Sequence, residues 1–222
     1  MDAWRVETAY WDDAYAAGMY ADAAPDAFTR DILAAAPPGT TGVEIGCGNG
    51  RNLIPLVRGG LDLIGIDPSR VALSRLALRA PDVRTLLGTQ DDLPPGRHDL
   101  VVGIQVHQHG DRDGARAMLR GSLARVAPGG LFALRTASAD TVAVEAHDVL
   151  DVDPDGGRTF RYREGFKAGL TVHYYGRAEL DALLAGFEPV LPLRARHTPR
   201  EDPPAGTWAH WETIVRRPRR PA

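Results

Sequence analysis

The chain has 222 residues, of which 44% are hydrophobic and 25% are charged, and its formal net charge is −3. This length and composition suit one globular α/β domain with a full core and are too short for two comfortable domains. The small negative charge provides no overall basic field, which argues against nucleic acid as a partner. No apolar run approaches bilayer-spanning length, and no secretory signal is visible. Cys47 is the single cysteine, so we expect a soluble, cytoplasmic protein without a disulfide.

Residues 1–24 form a segment rich in aromatic side chains, among them Tyr10 and Trp11. Two interpretations remain open. The rings lie as a lid over a cationic ligand, where cation–π attraction helps, or they belong to an N-terminal helix that packs on the sheet. A helix is predicted at 26–36, where apolar residues recur at helical spacing, and the Pro-Pro-Gly of residues 37–39 ends it.

Residues 43–52 read V-E-I-G-C-G-N-G-R-N. An apolar strand at 41–45, alternate glycines and a helix-compatible segment predict a strand, a tight turn and a helix N-terminus, the ligand-binding corner of an open α/β sheet. The glycines tolerate positive φ and leave the backbone open to a ligand. Dinucleotide sites favour G-x-G-x-x-G with a pyrophosphate at the helix N-terminus. Here Glu44 precedes the glycines, which suits a ligand carrying an ammonium or a sulfonium.

This stretch resembles the class I S-adenosylmethionine-dependent methyltransferases, and its sequence is similar to that of small-molecule members, including the tellurite-resistance type. The resemblance implies a Rossmann-like α/β fold: a doubly wound, seven-stranded, mostly parallel sheet of order 3-2-1-4-5-7-6 with helices on both faces. It also implies S-adenosyl-L-methionine as cofactor and S-adenosyl-L-homocysteine as product. The methyltransferase domain is expected at 25–217, after the lid segment and before a basic tail, 218–222, that reads as a solvated terminus.

A second strand is predicted at 61–66 and ends at Asp67, where an acid suits two ribose hydroxyls; the alternative is that Asp67 caps the next helix, 71–80. A third strand, 83–87, precedes Gly88. Members of the resembling family often have an aspartate that bonds adenine where this chain has Thr89, so Thr89, Gln90 and Asp91 stay candidates for that contact. The candidate cofactor-binding residues are Tyr10, Trp11, Glu44, Gly46, Cys47, Gly48, Asn49, Gly50, Asn52, Asp67, Pro68, Thr89, Gln90, Asp91 and Gln105.

A fourth strand is predicted at 99–106, and the sequence Q-V-H-Q-H follows from Gln105. In the resembling family this strand end faces both the sulfonium and the acceptor. Histidine titrates near neutral pH and can take a proton from an attacking hydroxyl or amine. Residues two apart on a strand share a face, so His107 and His109 are both predicted to line one pocket as catalytic residues. The alternatives are a structural histidine or a metal pair, and we expect no metal because no set of carboxylates accompanies them.

A helix at 114–126, a Pro-Gly-Gly turn and a fifth strand at 131–136 are predicted next. In the insertion, 138–176, residues 148–155 read as an acidic, turn-rich loop, and 158–163 and 170–175 alternate as a hairpin over the site. A helix at 177–184 and strands at 187–195 and 208–216 follow. Basic side chains of the insertion, including Lys167, would hold an anionic substrate or form a solvated face. The substrate-binding candidates are Arg161, Tyr174 and Trp208.

The function predicted from these features is methyl transfer to an O, N, S or C atom of a small-molecule acceptor, with specialised metabolism as a setting. One alternative is a non-catalytic S-adenosylmethionine-binding module or subunit. Another is a nicotinamide-dependent oxidoreductase, against which the glycine spacing and Glu44 argue. A nucleic-acid methyltransferase would carry N/D-P-P-[FYW] where this chain has Q-V-H-Q-H. The oligomeric state is not predicted.

Overall fold

The computed structural model describes residues 3–200 and 206–219. The described helices are α1 (Ala3–Ala16), α2 (Phe28–Ala35), α3 (Leu53–Arg58), α4 (Arg70–Arg79), α5 (Arg112–Ala124) and α6 (Arg177–Leu183). The described strands are β1 (Thr41–Ile45), β2 (Asp62–Asp67), β3 (Thr85–Leu87), β4 (His98–Ile104), β5 (Val126–Ala137), β6 (His147–Val152), β7 (Arg158–Tyr162), β8 (Thr171–Tyr174), β9 (Glu188–Pro199) and β10 (Thr207–Arg216).

Seven strands form the central sheet in the order β3-β2-β1-β4-β5-β10-β9. The pairs from β3 to β5 are all parallel, whereas β10 is antiparallel to both β5 and β9. Since β9 and β10 are the sixth and seventh strands of this sheet along the chain, the predicted doubly wound fold and the order 3-2-1-4-5-7-6 are confirmed. The parallel strands bring their carboxyl ends to one edge, where open α/β sheets bind ligands.

Alternation along the central strands separates two hydrophobic cores. Val101 and Val102 of β4 are both fully buried but belong to different clusters, because successive side chains of a strand point to opposite faces. One cluster is covered by α2, α3 and α4, with Phe28 and Leu76 fully buried. The other is covered by α5 and α6, with Leu119 fully buried. Burial of both faces explains why these strands read as continuous apolar runs.

The insertion forms a second, antiparallel sheet in the order β6-β7-β8. The predicted hairpin is confirmed as β7 and β8, but β6 lies where a turn-rich loop was predicted. A register shift between Val149 and Asp151 breaks its alternation, and most of β6 is exposed, so no period-two pattern marks it. The sheet adjoins the loop after β4, because Gly110 donates its N–H to the Thr171 carbonyl at 2.9 Å.

Two element boundaries differ from the prediction with consequences for the site. Strand β4 ends at Ile104, two residues before the predicted end, so Gln105 and the histidines after it are not in the strand. Strand β5 begins at Val126 and includes the Pro-Gly-Gly sequence, where Gly129 has φ +83° and the pairing with β4 shifts register. None of the helices in the described ranges is long and apolar enough to cross a membrane.

Candidate cofactor and active site

The glycine-rich corner joins β1 to α3, and its three alternate glycines all have positive φ: +69° at Gly46, +54° at Gly48 and +81° at Gly50. A Cβ at Gly46 would lie 2.6 Å from Val106 Cγ2, and one at Gly48 would lie 2.1 Å from the Tyr15 hydroxyl. Both the backbone angle and the space therefore require glycine at Gly46 and Gly48. The turn brings the loop backbone against helix α1 and the segment that follows β4.

A cavity of about 710 Å³ opens at this corner, between the carboxyl ends of β1, β2 and β4. Its volume lies in the range of small-molecule and cofactor sites. The segment 88–92, helix α5 and the N-terminal segment form the remaining walls. Of the residues predicted from the sequence, those that line it are Trp11, Gly46, Cys47, Asn49, Asn52, Asp67, Pro68, Thr89, Gln90, Asp91, Gln105 and His109.

Asp67, at the end of β2, lines the cavity and also fastens the loop around it. Its Oδ2 accepts the Gly48 N–H and its Oδ1 accepts the Ser69 N–H, both at 2.8 Å. Burial raises the pKa of Asp67, whereas the two N–H donors act in the opposite direction. Ser69 itself caps α4 by accepting the Ala72 N–H. Each carboxylate oxygen has a further lone pair, so the capping contacts do not exclude a ribose contact.

Glu44 lies behind the cavity wall and does not line it. Its side chain is 1% exposed, and Oε2 has no hydrogen-bond partner among the described residues. Burial raises the pKa of Glu44 to about 8, and the nearby Arg51 guanidinium opposes that rise. A buried carboxylate oxygen without a donor is costly, so a cationic group bound at the corner would favour the ionised form of Glu44.

The structure places His107 away from the cavity, so the prediction that it lines one pocket together with His109 is wrong. Its ring is fully buried, packs edge-on against Phe132 with centroids 5.6 Å apart, and has Nε2 2.7 Å from Ser122 Oγ. Ser122 donates in turn to Gln90 Oε1 at 2.8 Å. Gln90 does line the cavity. His107 is therefore a structural residue that orients Gln90 through Ser122.

His109 does line the cavity. Its Nε2 lies 3.2 Å from the Gln105 carbonyl, so the ring carries its proton there, and Nδ1 is a buried acceptor without a partner in the described part of the chain. Burial first, and the charge of Lys167 second, lower the pKa of His109 to about 4. At neutral pH the ring is therefore neutral, with one nitrogen free to accept a proton. Its ring meets Trp11 edge-on, at 5.1 Å between centroids.

Several side chains of the cavity wall were not among the predicted site residues, and three of them are Tyr15, Tyr20 and Arg51. Arg51 lies 4.8 Å over the Tyr20 ring, and its Nη2 is 3.4 Å from Gln105 Oε1. Tyr20 and Gln105 have φ of +57° and +59°, the two positive values outside glycine among the described residues. Strained backbone of this kind clusters at functional sites. The signal available in the sequence was the arginine directly after the glycine motif.

The N-terminal helix α1 covers one side of the cavity. It therefore has features of both interpretations of the aromatic segment, the lid over a ligand and the helix packed on the protein. Trp11 and Tyr15 line the cavity and also pack against the protein, with their ring centroids 6.2 Å apart. Asp12 fastens the helix, because its Oδ1 accepts from Ser69 Oγ at 2.6 Å and from the Val71 N–H at 3.2 Å. The contacts of α1 therefore reach the same loop that Asp67 holds.

Several predicted site residues lie outside the cavity lining. Tyr10 points toward the insertion and donates its hydroxyl to the Phe166 carbonyl, and Gly48 and Gly50 shape the turn from behind. Tyr174 is buried in the insertion, Arg161 is exposed on β7, and Trp208 packs beside Lys167. Within the described residues no three His, Cys, Asp or Glu side chains converge as a metal site would require.

Comparison with known proteins gives one family. Residues 43–132 match the family model described as a methyltransferase domain. An uncharacterised methyltransferase of Synechocystis sp. is 30% identical over 100 residues, which are 44% of this chain and 47% of that protein. A ubiquinone biosynthesis O-methyltransferase of Rhodopseudomonas palustris is 32% identical over 99 residues, 42% of this chain and 38% of that protein. The chain therefore aligns with less than half the length of either curated relative.

Solved structures show the same fold at low identity. A Burkholderia thailandensis 1,6-didemethyltoxoflavin-N1-methyltransferase, crystallised with its substrate and S-adenosylhomocysteine, has a TM-score of 0.67 at 18% identity, over 96% of this chain and 88% of that one. A magnesium protoporphyrin IX methyltransferase of Synechocystis, with bound S-adenosylmethionine, has a TM-score of 0.65 at 15% identity, over 98% of both chains. These findings agree with the resemblance seen in the sequence: residues 43–132 are similar to a methyltransferase domain, and the chain shares the fold of these methyltransferases.

Proposed function

We propose that the protein is an S-adenosylmethionine-dependent methyltransferase that acts on a small-molecule acceptor. The observation that carries the proposal is the cavity at the β1–β2 corner, which joins a glycine turn and Asp67 to a neutral histidine with a free nitrogen. The family match over residues 43–132 supports the same reaction class.

The residues of the cavity fit this cofactor better than a dinucleotide. Asp67 retains lone pairs for the two ribose hydroxyls, and the segment 88–92 forms a wall for the adenine. At the other end Arg51 is a cation suited to the carboxylate of the cofactor. Glu44 lies behind this end of the cavity, where a bound ammonium would favour its ionised form. A nicotinamide cofactor would place its pyrophosphate at a G-x-G-x-x-G turn, whereas the glycines here alternate as G-x-G-x-G after Glu44, so the turn argues against such a cofactor.

The chemistry asked of the protein is modest. When bound, S-adenosylmethionine supplies an electrophilic methyl group on a sulfonium. His109 accepts the proton of the acceptor's hydroxyl or amine at Nδ1, while the Gln105 carbonyl holds Nε2–H and so sets the tautomer. Trp11, Tyr15 and Tyr20 exclude water with their rings and offer π faces to a positive charge.

The acceptor itself is inferred only as a class. The aromatic walls and His109 suit a small, flat molecule with an ionisable O–H or N–H group. Two similar proteins are named for such chemistry, one as an O-methyltransferase of ubiquinone biosynthesis and one as an N1-methyltransferase of a toxoflavin precursor. We therefore place oxygen and nitrogen before sulfur and carbon as acceptor atoms.

The test separates binding from catalysis. Calorimetry with S-adenosylhomocysteine measures cofactor binding, and consumption of S-adenosylmethionine is measured with a panel of phenols, quinols and heterocyclic amines. We expect the wild-type protein to bind and to turn over, and His109→Gln to bind within about twofold of wild type but to lose about 100-fold or more in turnover, the usual contribution of a general base. His98→Gln, at the far end of β4, is the matched control and should change neither quantity.

Two outcomes contradict the proposal, and a third contradicts the role of His109. Tight binding of NADH without binding of S-adenosylhomocysteine would assign the cavity to a different cofactor. Binding of S-adenosylhomocysteine with no turnover of any acceptor would favour a non-catalytic module, and His109→Gln at wild-type turnover would remove His109 from the mechanism.

A further inference from the structure

Lys167 is the single lysine of the chain, because the other 25 of the 26 basic residues are arginines. The two side chains differ in one relevant respect: an arginine keeps its charge at every physiological pH, whereas a lysine loses its proton readily when it is removed from water. The position of the one lysine therefore identifies where this protein holds a side-chain amine that can titrate.

Lys167 lies inside a cage of aromatic rings contributed by the insertion and β10. Its Nζ is 4.0 Å from the ring centroid of Trp208, 5.1 Å from that of Tyr162 and 5.6 Å from those of Phe166 and Tyr174. It donates a hydrogen bond to Tyr174 Oη at 3.1 Å, and the Tyr174 and Tyr162 hydroxyls bond to each other. Ring faces attract an ammonium, so the cage holds the charge in one place.

The carboxylate that acts on Lys167 is already engaged. Glu145 pairs with Arg200, and the Arg200 guanidinium stacks 3.9 Å from the Trp208 ring. No carboxylate lies within ion-pair distance of Lys167 in the part of the chain that the structure describes. Burial lowers the pKa of Lys167 to about 7, Glu145 acts against that shift, and Arg200 adds to it.

The cage is one aromatic layer away from the cavity. The Phe166 carbonyl accepts the Tyr10 hydroxyl, the Tyr10 ring meets Trp11 at 5.1 Å, and Trp11 meets His109 at 5.1 Å. The charge of Lys167 lowers the pKa of His109, and the hydrogen bond to the Gln105 carbonyl raises it. His109 in turn lowers the pKa of the buried His107. The charge of Lys167 acts also on His210, whose Nε2 lies 2.9 Å from Gln105 Nε2.

We propose that Lys167 is a positioning residue whose caged ammonium keeps the His109 ring neutral, and so ready to accept a proton, as the solution becomes acidic. The role of His109 as base rests on the proposed function; the electrostatic coupling between Lys167 and His109 does not. The sign follows from the two protonation states. His109 gains its proton well below neutral pH, where Lys167 is charged. The positive charge of Lys167 opposes a positive charge on the His109 ring and so lowers the pKa of His109.

The experiment reads both groups directly by NMR, without cofactor or acceptor. Protein labelled with ¹³C-lysine gives one side-chain signal, because there is one lysine, and its titration reports Lys167. Protein labelled with ¹⁵N-histidine is titrated in parallel, with the His109 signals identified by their loss in His109→Gln. The variants are Lys167→Met, which fills the cage without a charge, and Lys167→Arg, which keeps the charge. Arg163→Met, which removes an exposed cation four residues away, is the matched control.

We expect Lys167 to titrate about three units below the ordinary value of a lysine and the pKa of His109 to rise in Lys167→Met by about 0.5 unit or more. Lys167→Arg and Arg163→Met should leave the pKa of His109 at its wild-type value. An unshifted His109 in folded Lys167→Met, or a lysine signal with an ordinary pKa, would overturn the proposal. Calorimetry with S-adenosylhomocysteine on the same samples tests the proposed function separately, so the failure of one leaves the other measurable.

Discussion

Replacing Asp67 with asparagine should separate the two roles of this carboxylate, because it removes the charge and one acceptor but preserves the shape. The carboxylate accepts the Gly48 and Ser69 N–H groups at 2.8 Å, one on each oxygen. An amide keeps one of these bonds and turns an NH₂ group toward the other donor. A hydrogen bond to a charged group contributes about 1.5–3 kcal/mol. The neutral amide does not incur the cost of burying a charge, the cost that raises the pKa of Asp67, and this offsets part of the lost hydrogen bonding. We therefore expect a net loss of about 1–2 kcal/mol of unfolding free energy.

The same substitution should also weaken cofactor binding, and by more than the loss of the capping hydrogen bonds alone would cause. Loss of one charge-assisted bond to a ribose hydroxyl weakens binding by about tenfold or more, since 1.4 kcal/mol is a factor of ten. Urea unfolding measures the first quantity and calorimetry with S-adenosylhomocysteine the second. Ser69→Ala is the matched control, because it removes the cap of α4, worth about 1 kcal/mol, and the Ser69–Asp12 hydrogen bond, and leaves Asp67 in place. Asp67→Asn with wild-type affinity would refute the ribose assignment and leave Asp67 as a capping residue alone.

Two further substitutions test the buried residues behind the cavity. His107→Leu should break the hydrogen-bonded chain to Gln90 and weaken S-adenosylhomocysteine binding severalfold. The pH profile of turnover should keep its shape. A shifted profile would return His107 to the catalytic residues. Burial raises the pKa of Glu44 from 4.5 to about 8, so the folded protein retains a proton that the unfolded chain releases between these values. The unfolding free energy of the cofactor-free wild type should therefore fall as pH rises through this window, by at most about 1.4 kcal/mol per pH unit, and Glu44→Gln should flatten the slope; equal slopes in urea unfolding would contradict the assigned burial.

Much of the cofactor half of the site was accessible from local sequence. Asp67 was predicted from its position at the end of a strand, Gln105 from the last residues of a predicted strand and Thr89 from the family resemblance, and all three line the cavity. A parallel strand that is buried on both faces carries its own apolar signal, and the ends of such strands meet at one edge of the sheet. Position along the chain is therefore enough to place such residues at the edge.

The acceptor half was less accessible, and His107 shows why. The prediction extended β4 through 106 and applied the two-residue alternation of a strand to both histidines. The strand ends at Ile104, and Gln105 takes a φ of +59°, so the alternation does not continue. The partner that draws His107 inward is Ser122 on α5, fifteen residues further along the chain. The β6 strand was missed for a related reason, since its irregular pairing leaves no periodic pattern.

The sequence by itself determined the class of fold and the chemistry of the corner, because apolar runs, alternate glycines and acids at strand ends are local features. Only the tertiary structure decided which side chains face the cavity. It turned His107 inward and left His109 at the wall, set Tyr15 against the glycine turn, and enclosed Lys167 in rings from three separate strands and a loop. The physical reason is that burial and the local electric field of a side chain depend on neighbours distant in sequence, which no pattern along the chain records.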